Sequence, residues 1–251
     1  MKTKIKLFLK KYFPAILRLI NTINKDHDKN KLLSNFYNIL IHQKYEPKVI
    51  YDVGANKGTW TEHCIAYFPK ANYVLFEPQP FLKQNIEAVL GKFENVKLFS
   101  VGVGNQTGNL LFTYHERDDS CTFSMSEFEA RLLGYKQVET PIITLDSFIN
   151  ENHLEKPDII KIDAEGLDID VLDGARDTLA SNVEIVLVEV GVMNKNIKNN
   201  ALNVLNYMEN LGFILFDITD LNRPFSNKVL WLCEFVFIKK NGKLDKNYAS
   251  L

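Results

Sequence analysis

The chain has 251 residues, with 30 Lys and Arg against 31 Asp and Glu, a net charge of −1, and 46% hydrophobic residues. This is the composition of a globular protein, so a disordered chain is excluded, and the length fits one large domain with room for a short terminal extension. Cys64, Cys121 and Cys233 are widely separated and form no CxxC pair, which excludes a disulfide scaffold and a zinc ribbon and favours the reducing cytoplasm.

The basic residues are concentrated at the beginning of the chain. Residues 1–50 hold 11 Lys and Arg and 3 Asp and Glu, a net charge of +8, whereas residues 51–251 hold 19 and 28, a net charge of −9. Lysines alternate with apolar residues in the first part of this basic region. We therefore predict a basic amphipathic helical extension over residues 1–45, followed by the main domain over 46–251.

Residues 1–25 of this extension allow two interpretations. Pro14 and Arg18 interrupt the apolar residues, so the segment is neither a membrane span nor a secretion signal. A basic amphipathic helix can lie on anionic lipid, which would place the protein at the inner face of the membrane. It can also pack on the domain with its lysines in water. We favour this second interpretation because soluble domains use such helices far more often.

From residue 48 onward, apolar strand-like runs alternate with helical patterns. In chain order we predict a strand at 49–53, a helix at 58–68, a strand at 73–76, a helix at 80–90 and strands at 96–101 and 159–162, followed by a helix at 168–180, a strand at 183–190, a helix at 199–211 and strands at 213–216 and 233–238. No long helical pattern separates the last two strands, which favours an antiparallel pair. The alternation predicts a doubly wound α/β sheet that binds its ligand outside the carboxyl ends of the strands.

The connection between the third and fourth strands, residues 104–145, is longer than the others. Strand-like runs at 108–115 and 138–143 flank a stretch without periodicity at 120–125. We predict a β-insertion whose loop lies over the crevice. Because loops above the strand ends vary with the ligand, we expect acceptor specificity to come from residues 115–137.

The segment DVGANKG follows the first strand and opens the first helix. Gly54 allows a tight turn, Gly58 opens the helix without a side chain to crowd a ligand, and Asp52 places a carboxylate nearby. The order is not GxGxxG, and a carboxylate would repel the pyrophosphate that a dinucleotide site binds. The carboxylate of Asp52 instead suits a ligand with an ammonium or a sulfonium group. A purely structural glycine turn is the alternative.

Glu77 ends the second strand, where an acid can accept hydrogen bonds from both hydroxyls of a ribose. Together with Asp52 it indicates a nucleoside that carries no charged phosphate. S-adenosylmethionine fits this description, and NAD fits it less well.

Charged residues also end the fourth strand. Strand alternation would put Lys161, Asp163 and Glu165 on one side, facing the same crevice. Unpaired buried charge is costly, so this cluster needs a reason. Either the charges form a mutual ion pair, or they handle the substrate beside a transferable methyl group.

Four motifs in this order, DVGANKG, FEP, TLDSF and KIDAEGLDIDVLDGA, resemble those of the FkbM-type methyltransferase family over roughly residues 48–240. The resemblance implies a class I, Rossmann-like fold: a mostly parallel seven-stranded sheet with a terminal antiparallel hairpin strand and a β-insertion between strands three and four. It also implies S-adenosylmethionine-dependent O-methylation of a sugar, glycan or natural-product hydroxyl. The cofactor-binding residues it implies are Asp52, Gly54, Asn56 and Gly58 at the methionine end, Glu77 at the ribose, Ser100 and Val101 at the adenine, and Asp163.

The resemblance suggests that Asp163 and Glu165 lie in the active site, and we group Lys161 with them as the predicted catalytic residues. A sugar hydroxyl is a poor nucleophile, so Asp163 or Glu165 is predicted to act as general base. In an alternative mechanism, Asp163 and Glu189 hold Mg²⁺, which lowers the pKa of the hydroxyl.

The expected acceptor is a small molecule, a sugar or a lipid-linked glycan. Nucleic acid is excluded by the net charge of −9 beyond residue 50, which repels phosphate. Two further functions stay open: a protein that binds S-adenosylmethionine without turnover and, less favoured, a nicotinamide-dependent enzyme.

Overall fold

A computed structural model describes residues 31–116, 121–193 and 197–248. Residues 1–25, which allow either packing on the domain or lipid binding, lie outside these residues, as does Ser120 at the start of the predicted loop. Among the residues described, no helix has the length and apolar character needed to cross a bilayer.

In the part of the chain that the structure describes, ten strands form two sheets. The strands are β1 Val49–Val53, β2 Asn72–Phe76, β3 Val96–Phe99, β4 Gly102–Val103, β5 Gly108–Tyr114, β6 Lys136–Ile143, β7 Ile159–Ile162, β8 Ile185–Gly191, β9 Phe213–Asn222 and β10 Leu232–Lys239. The main sheet has seven strands in the order β3-β2-β1-β7-β8-β10-β9, and β10 pairs antiparallel with both of its neighbours. The remaining strands form a small sheet in the order β4-β6-β5. The predicted fold class is confirmed, including the antiparallel pair near the end of the chain.

Helices cover both faces of the main sheet. They are α1 Lys31–His42, α2 Thr59–Ile65, α3 Lys83–Leu90, α4 Glu127–Leu133, α5 Leu145–Glu151, α6 Asp168–Asp173, α7 Arg176–Ala180, α8 Ala201–Asn210 and α9 Lys243–Tyr248. One core cluster contains residues of α1, α2 and α3, and the other contains residues of α5 to α8, each packed on side chains of the sheet. The two clusters bury alternate residues of the central strands, as a doubly wound sheet requires.

Helix α1 lies within the predicted extension of residues 1–45. Its buried side chains Leu33, Phe36, Tyr37 and Leu40 pack into the same core cluster as Ile50 of β1. The described part of the extension therefore packs on the sheet. The division of the chain at residues 45 and 46 stays a prediction.

The single helix predicted over 168–180 is two helices in the structure, α6 and α7, separated at Gly174. A Cβ at Gly174 would lie 2.0 Å from the backbone oxygen of Gly104, so the two backbones touch where the helix is broken. This contact joins the helical segment to the β-insertion, at a distance in sequence that local periodicity does not detect. Helix α4 also was not predicted, although its capping box of Ser126 and Glu129 can be read from the sequence.

Candidate active site

The carboxyl ends of β1, β2, β3 and β7 meet at one edge of the main sheet, as parallel strands dictate. Beside this edge lies a cleft that encloses about 590 Å³, including space open to solvent. It is lined by Val53, Gly54, Asn56, Phe76, Glu77, Pro78, Gln79, Val101, Gly102, Val103, Phe112, Cys121, Phe123, Asp163, Ala164 and Glu165. The structure thus brings together six residues predicted for the site: Gly54, Asn56, Glu77, Val101, Asp163 and Glu165.

Gly54 is required where two strand ends touch. Its φ is +77°, and a Cβ there would lie 1.8 Å from the backbone oxygen of Asp163. Both segments are held in place, since the Gly54 amide donates to the Phe76 carbonyl at 2.9 Å and the Asp163 amide donates to the Val53 carbonyl at 3.0 Å. The glycine therefore lets the end of β7 approach the end of β1.

Gly58 lacks a side chain for a different reason from the predicted one, while its place among the cofactor-binding residues stays a prediction. Its φ of +76° is consistent with a glycine turn, but a Cβ would meet Leu90 of α3 at 2.9 Å. The missing side chain makes room for α3 to pack, and Gly58 does not line the cleft. A Cβ on Gly58 would point at Leu90 and not into the cleft, so the missing side chain does not make room for a ligand.

Glu77 is the buried acid of the cleft, with 3% of its surface exposed. Its Oε2 accepts from the Asn56 amide at 2.7 Å and its Oε1 from the Gln79 amide at 2.9 Å. Burial raises the pKa of Glu77, and the hydrogen bonds from Gln79 and Asn56 oppose this rise without cancelling it. Each carboxylate oxygen can accept a further hydrogen bond. A pair of neighbouring hydroxyls, as on a ribose, would satisfy both oxygens, so these residues fit the predicted nucleoside.

Asp52 lies behind the cleft and does not line it. The side chain is fully buried, and its Oδ2 accepts from the Thr61 hydroxyl at 2.6 Å. Its Oδ1 lies 3.6 Å from the Lys161 Nζ. Burial raises the pKa of Asp52, while Lys161 and Thr61 oppose the rise. The cation that Asp52 meets is thus Lys161, and the predicted direct contact with a ligand's ammonium or sulfonium does not agree with this geometry.

Lys161 is a buried ammonium shared by the ends of β1 and β7. Its Nζ donates to the Gly54 carbonyl at 3.3 Å and to Asp163 Oδ2 at 3.2 Å, in addition to facing Asp52. Burial lowers the pKa of Lys161, but the carboxylates of Asp163, Asp52 and Glu234 outweigh burial and leave the pKa well above its ordinary value. An ammonium with these partners cannot accept a proton from a substrate. The ion-pair interpretation therefore describes Lys161 better than the predicted catalytic one.

Asp163 and Glu165 line the cleft from a turn that departs from strand alternation. Glu165 has a φ of +47° and Gly166 one of +100°, so Glu165 does not continue the strand side on which Lys161 lies. The Glu165 carbonyl accepts from the Thr122 hydroxyl at 2.6 Å, which joins the turn to the insertion.

Asp168 stabilises this turn through hydrogen bonds to its backbone amides. The sequence analysis did not predict a role for this residue. Its buried carboxylate accepts from the amides of Ala164 at 3.0 Å and Gly166 at 3.3 Å, and from the Asn199 side chain at 2.7 Å. Burial raises the pKa of Asp168 to about 7, although these backbone hydrogen bonds oppose the rise. An acid in the first turn of a helix just after a strand end is the sequence signal that could have identified it.

The predicted Mg²⁺ site does not fit the residues present. Glu189 does not line the cleft, and the ammonium of Lys161 already lies 3.2 Å from Asp163 Oδ2, where a metal ion would meet a second positive charge. Burial raises the pKa of Glu189, and the nearby carboxylates of Asp163, Asp168 and Glu165 raise it further. Within residues 31–116, 121–193 and 197–248, no three His, Cys, Asp or Glu side chains are grouped to hold a metal ion.

Ser100 is exposed and does not line the cleft, whereas the neighbouring Val101 does. Phe112, Cys121 and Phe123 of the insertion also line the cleft, and sequence reasoning did not assign them to the site. The only sequence signal for them was the prediction that the loop at 120–125 lies over the crevice.

A seven-stranded sheet with β10 reversed, a glycine turn after β1 and an acid after β2 define the class I, Rossmann-like methyltransferase fold. A crystal structure of Methyltransferase FkbM from Methylobacillus flagellatus KT shares this fold, with a TM-score of 0.51 and 16% identity over 76% of this chain and 43% of that one. Residues 52–215 match the Methyltransferase FkbM domain, and the chain belongs to that family.

Two curated relatives carry more specific names. The chain is 29% identical over 150 residues to the 2-O-methyltransferase NoeI of Sinorhizobium fredii, covering 55% of this chain and 60% of the relative. It is 28% identical over 164 residues to the hexuronic acid methyltransferase AglP of Haloferax volcanii, covering 63% of each chain. The chain thus matches somewhat less than two thirds of the length of these relatives.

Proposed function

We propose that this protein is an S-adenosylmethionine-dependent O-methyltransferase that acts on a hydroxyl of a sugar, a glycan or a natural product. The observation that carries the proposal is the cleft, in which the buried acid Glu77 and the pair Asp163 and Glu165 line one space within an FkbM domain. The name of the relative NoeI, a 2-O-methyltransferase, supports transfer to an oxygen, and the name of AglP, a hexuronic acid methyltransferase, supports a sugar acceptor.

In this proposal Glu77 binds the ribose hydroxyls, Gly54 and Asn56 line the methionine end and Val101 lines the adenine side. When bound, S-adenosylmethionine supplies a methyl group on a positively charged sulfur, and transfer leaves a neutral thioether. Asp163 takes the proton of the acceptor hydroxyl as that oxygen bonds to the methyl carbon. Lys161 holds Asp163 Oδ2, so it positions the carboxylate without entering the reaction. The rest of the rate increase comes from placing the acceptor oxygen in line with the methyl group.

We predict that Asp163→Asn lowers methyl transfer by at least about 10²-fold, because an amide cannot take the proton. The assay follows labelled methyl from S-adenosylmethionine into a panel of methyl glycosides and methyl glycuronides. Asp170→Asn is the matched control, since Asp170 is bonded to Asn105 and Lys198 and does not line the cleft. If Asp163→Asn keeps more than about a third of the wild-type rate while Glu165→Gln loses it, Glu165 is the base and Asp163 is not.

As a second proposal we keep the interpretation of residues 1–25 that is less favoured above: they contact the inner face of the membrane, and the acceptor is then a lipid-linked glycan in the cytoplasm. The support is the basic amphipathic sequence, with Lys2, Lys4, Lys6, Lys10, Lys11 and Arg18 among apolar residues. We expect the full chain to co-sediment with vesicles of anionic lipid, and a variant lacking residues 1–25 to stay in the supernatant. Equal partitioning of the two proteins would contradict this proposal, and vesicles of neutral lipid are the control for charge.

A further inference from the structure

The β-insertion places an aromatic ring on the cleft. Phe123 follows the bridge between Thr113 and Thr122, and its ring lies on the backbone of Gly102: a Cβ at Gly102 would come within 2.7 Å of two carbons of the ring. Gly102 follows Val101, at the end of the cleft assigned above to the adenine side. The absence of a side chain at residue 102 is what allows the ring to lie there.

A second ring and a thiol accompany Phe123. The ring centroids of Phe112 and Phe123 are 4.6 Å apart, and both rings line the cleft together with Cys121. Glu77 and the two residues that follow it, Pro78 and Gln79, line the same cleft. The insertion thus contributes apolar and aromatic side chains to the cleft in which Glu77 is proposed to bind the ribose.

The loop that carries Phe123 is held in two places, by a hydrogen bond to Glu165 and by packing of the ring on Gly102. The Thr122 hydroxyl donates to the Glu165 carbonyl and lies 2.7 Å from the Ser124 hydroxyl. The loop therefore spans from the turn of Asp163 and Glu165 to the backbone at Gly102. Its position is set by hydrogen bonds and by ring packing, so Phe123 is presented to the cleft at a defined place.

We propose that Phe123 is a cofactor-binding residue: its ring covers the adenine base of S-adenosylmethionine, so that the β-insertion closes the cofactor site. Purine bases stack favourably on aromatic side chains, and such contacts depend on ring faces and not on hydrogen bonding. The inference rests on the proposed function, because it needs the base to lie at Val101 and Gly102. It assigns to the insertion a part in cofactor binding, in addition to the acceptor specificity expected from its sequence.

The test is calorimetric titration with S-adenosylhomocysteine and with 5′-methylthioadenosine, which keeps the base and the ribose but lacks the amino-acid end. We expect Phe123→Ala to weaken binding of both ligands by the same factor, about tenfold. Phe123→Trp retains a ring and should stay within about threefold of wild type. Phe128→Ala is the matched control, since Phe128 lies in the same insertion on α4 and is 75% exposed. Melting temperatures of the unliganded variants show whether each one folds.

Wild-type affinity or tighter binding in Phe123→Ala would overturn the inference, as would a loss confined to S-adenosylhomocysteine, which would move the ring to the amino-acid end. Should Phe123→Ala fail to fold, Gly102→Ala tests the same contact by displacing the ring, and unchanged affinity there would count against the inference. Absence of binding to the wild-type protein would instead overturn the proposed function, on which this inference depends.

Discussion

Replacing Gly54 with alanine is expected to cost more than about 4 kcal/mol of folding free energy, a loss that ordinary substitutions do not reach. Two effects add. The residue would need a φ of +77°, and its Cβ would lie 1.8 Å from the Asp163 backbone oxygen. That oxygen belongs to the end of β7, which pairs with β1 along its whole length, so neither backbone can move away without breaking the sheet. Urea unfolding measures the loss.

Gly212→Ala separates the two effects. Gly212 has a φ of +82°, close to that of Gly54, but nothing lies within 4 Å of the position its Cβ would take. This variant should therefore lose only the folding free energy that a left-handed backbone conformation costs alanine, about 1–2 kcal/mol. Equal losses at Gly54 and Gly212 would mean that the ends of β1 and β7 do not touch as described.

Replacing Lys161 with methionine should destabilise the fold by about 3–5 kcal/mol, the usual result of removing one partner of a buried ion pair. Methionine is similar in length but leaves Asp52 fully buried with only the Thr61 hydroxyl as partner. It also removes the donor that holds Asp163 Oδ2. Methyl transfer should therefore fall as well, even where the variant is folded.

The double variant Lys161→Met/Asp52→Asn tests this cause. Once the carboxylate of Asp52 is neutral, the charge that only the Thr61 hydroxyl would stabilise is gone, so more than half of the lost stability should return; the remaining loss reflects Glu234, a second buried carboxylate near Lys161. Methyl transfer should stay low, because Asp163 is still not held. A loss below about 1 kcal/mol in the single variant would show that Lys161 does not neutralise Asp52.

The main sheet and the cleft residues at the ends of its strands were predictable, because local sequence patterns encode them. The strands β1, β2 and β7 are mostly apolar runs followed by a glycine or an acid, and because they are parallel those following residues meet at one edge. Gly54, Glu77 and Asp163 could therefore be placed together from sequence alone. Their roles in binding and catalysis remain proposals.

The partners of the buried charges were harder to predict. Asp52 and Lys161 face each other because β1 lies beside β7 in a register that pairs these two residues. Neither the strand order nor the register is visible in a local pattern. The sequence therefore pointed to a cationic ligand for Asp52, whereas its cation is Lys161 on the neighbouring strand β7. Asp168 is similar, because its hydrogen bond to Asn199 joins segments that only the fold brings together.

The aromatic side chains of the cleft come from the insertion, whose strands β5 and β6 belong to the small three-stranded sheet. Phe112 lies on β5, which pairs with β6, and Phe123 lies on the connection between these strands; nothing near them in sequence indicates a ligand. A non-local contact also breaks the helical segment at Gly174. Such features follow from tertiary packing, which periodicity does not report.

Calorimetric titration with S-adenosylhomocysteine and with NAD shows whether Glu77 holds the ribose of S-adenosylmethionine in this cleft. We expect the wild-type protein to bind S-adenosylhomocysteine and not NAD, and Glu77→Ala to weaken this binding by at least about tenfold, since hydrogen bonds to a charged acceptor are lost. Glu87→Ala, which removes an exposed acid of α3, should bind as wild type. Binding of NAD, or unchanged affinity in Glu77→Ala, would show that Glu77 does not hold the ribose of S-adenosylmethionine.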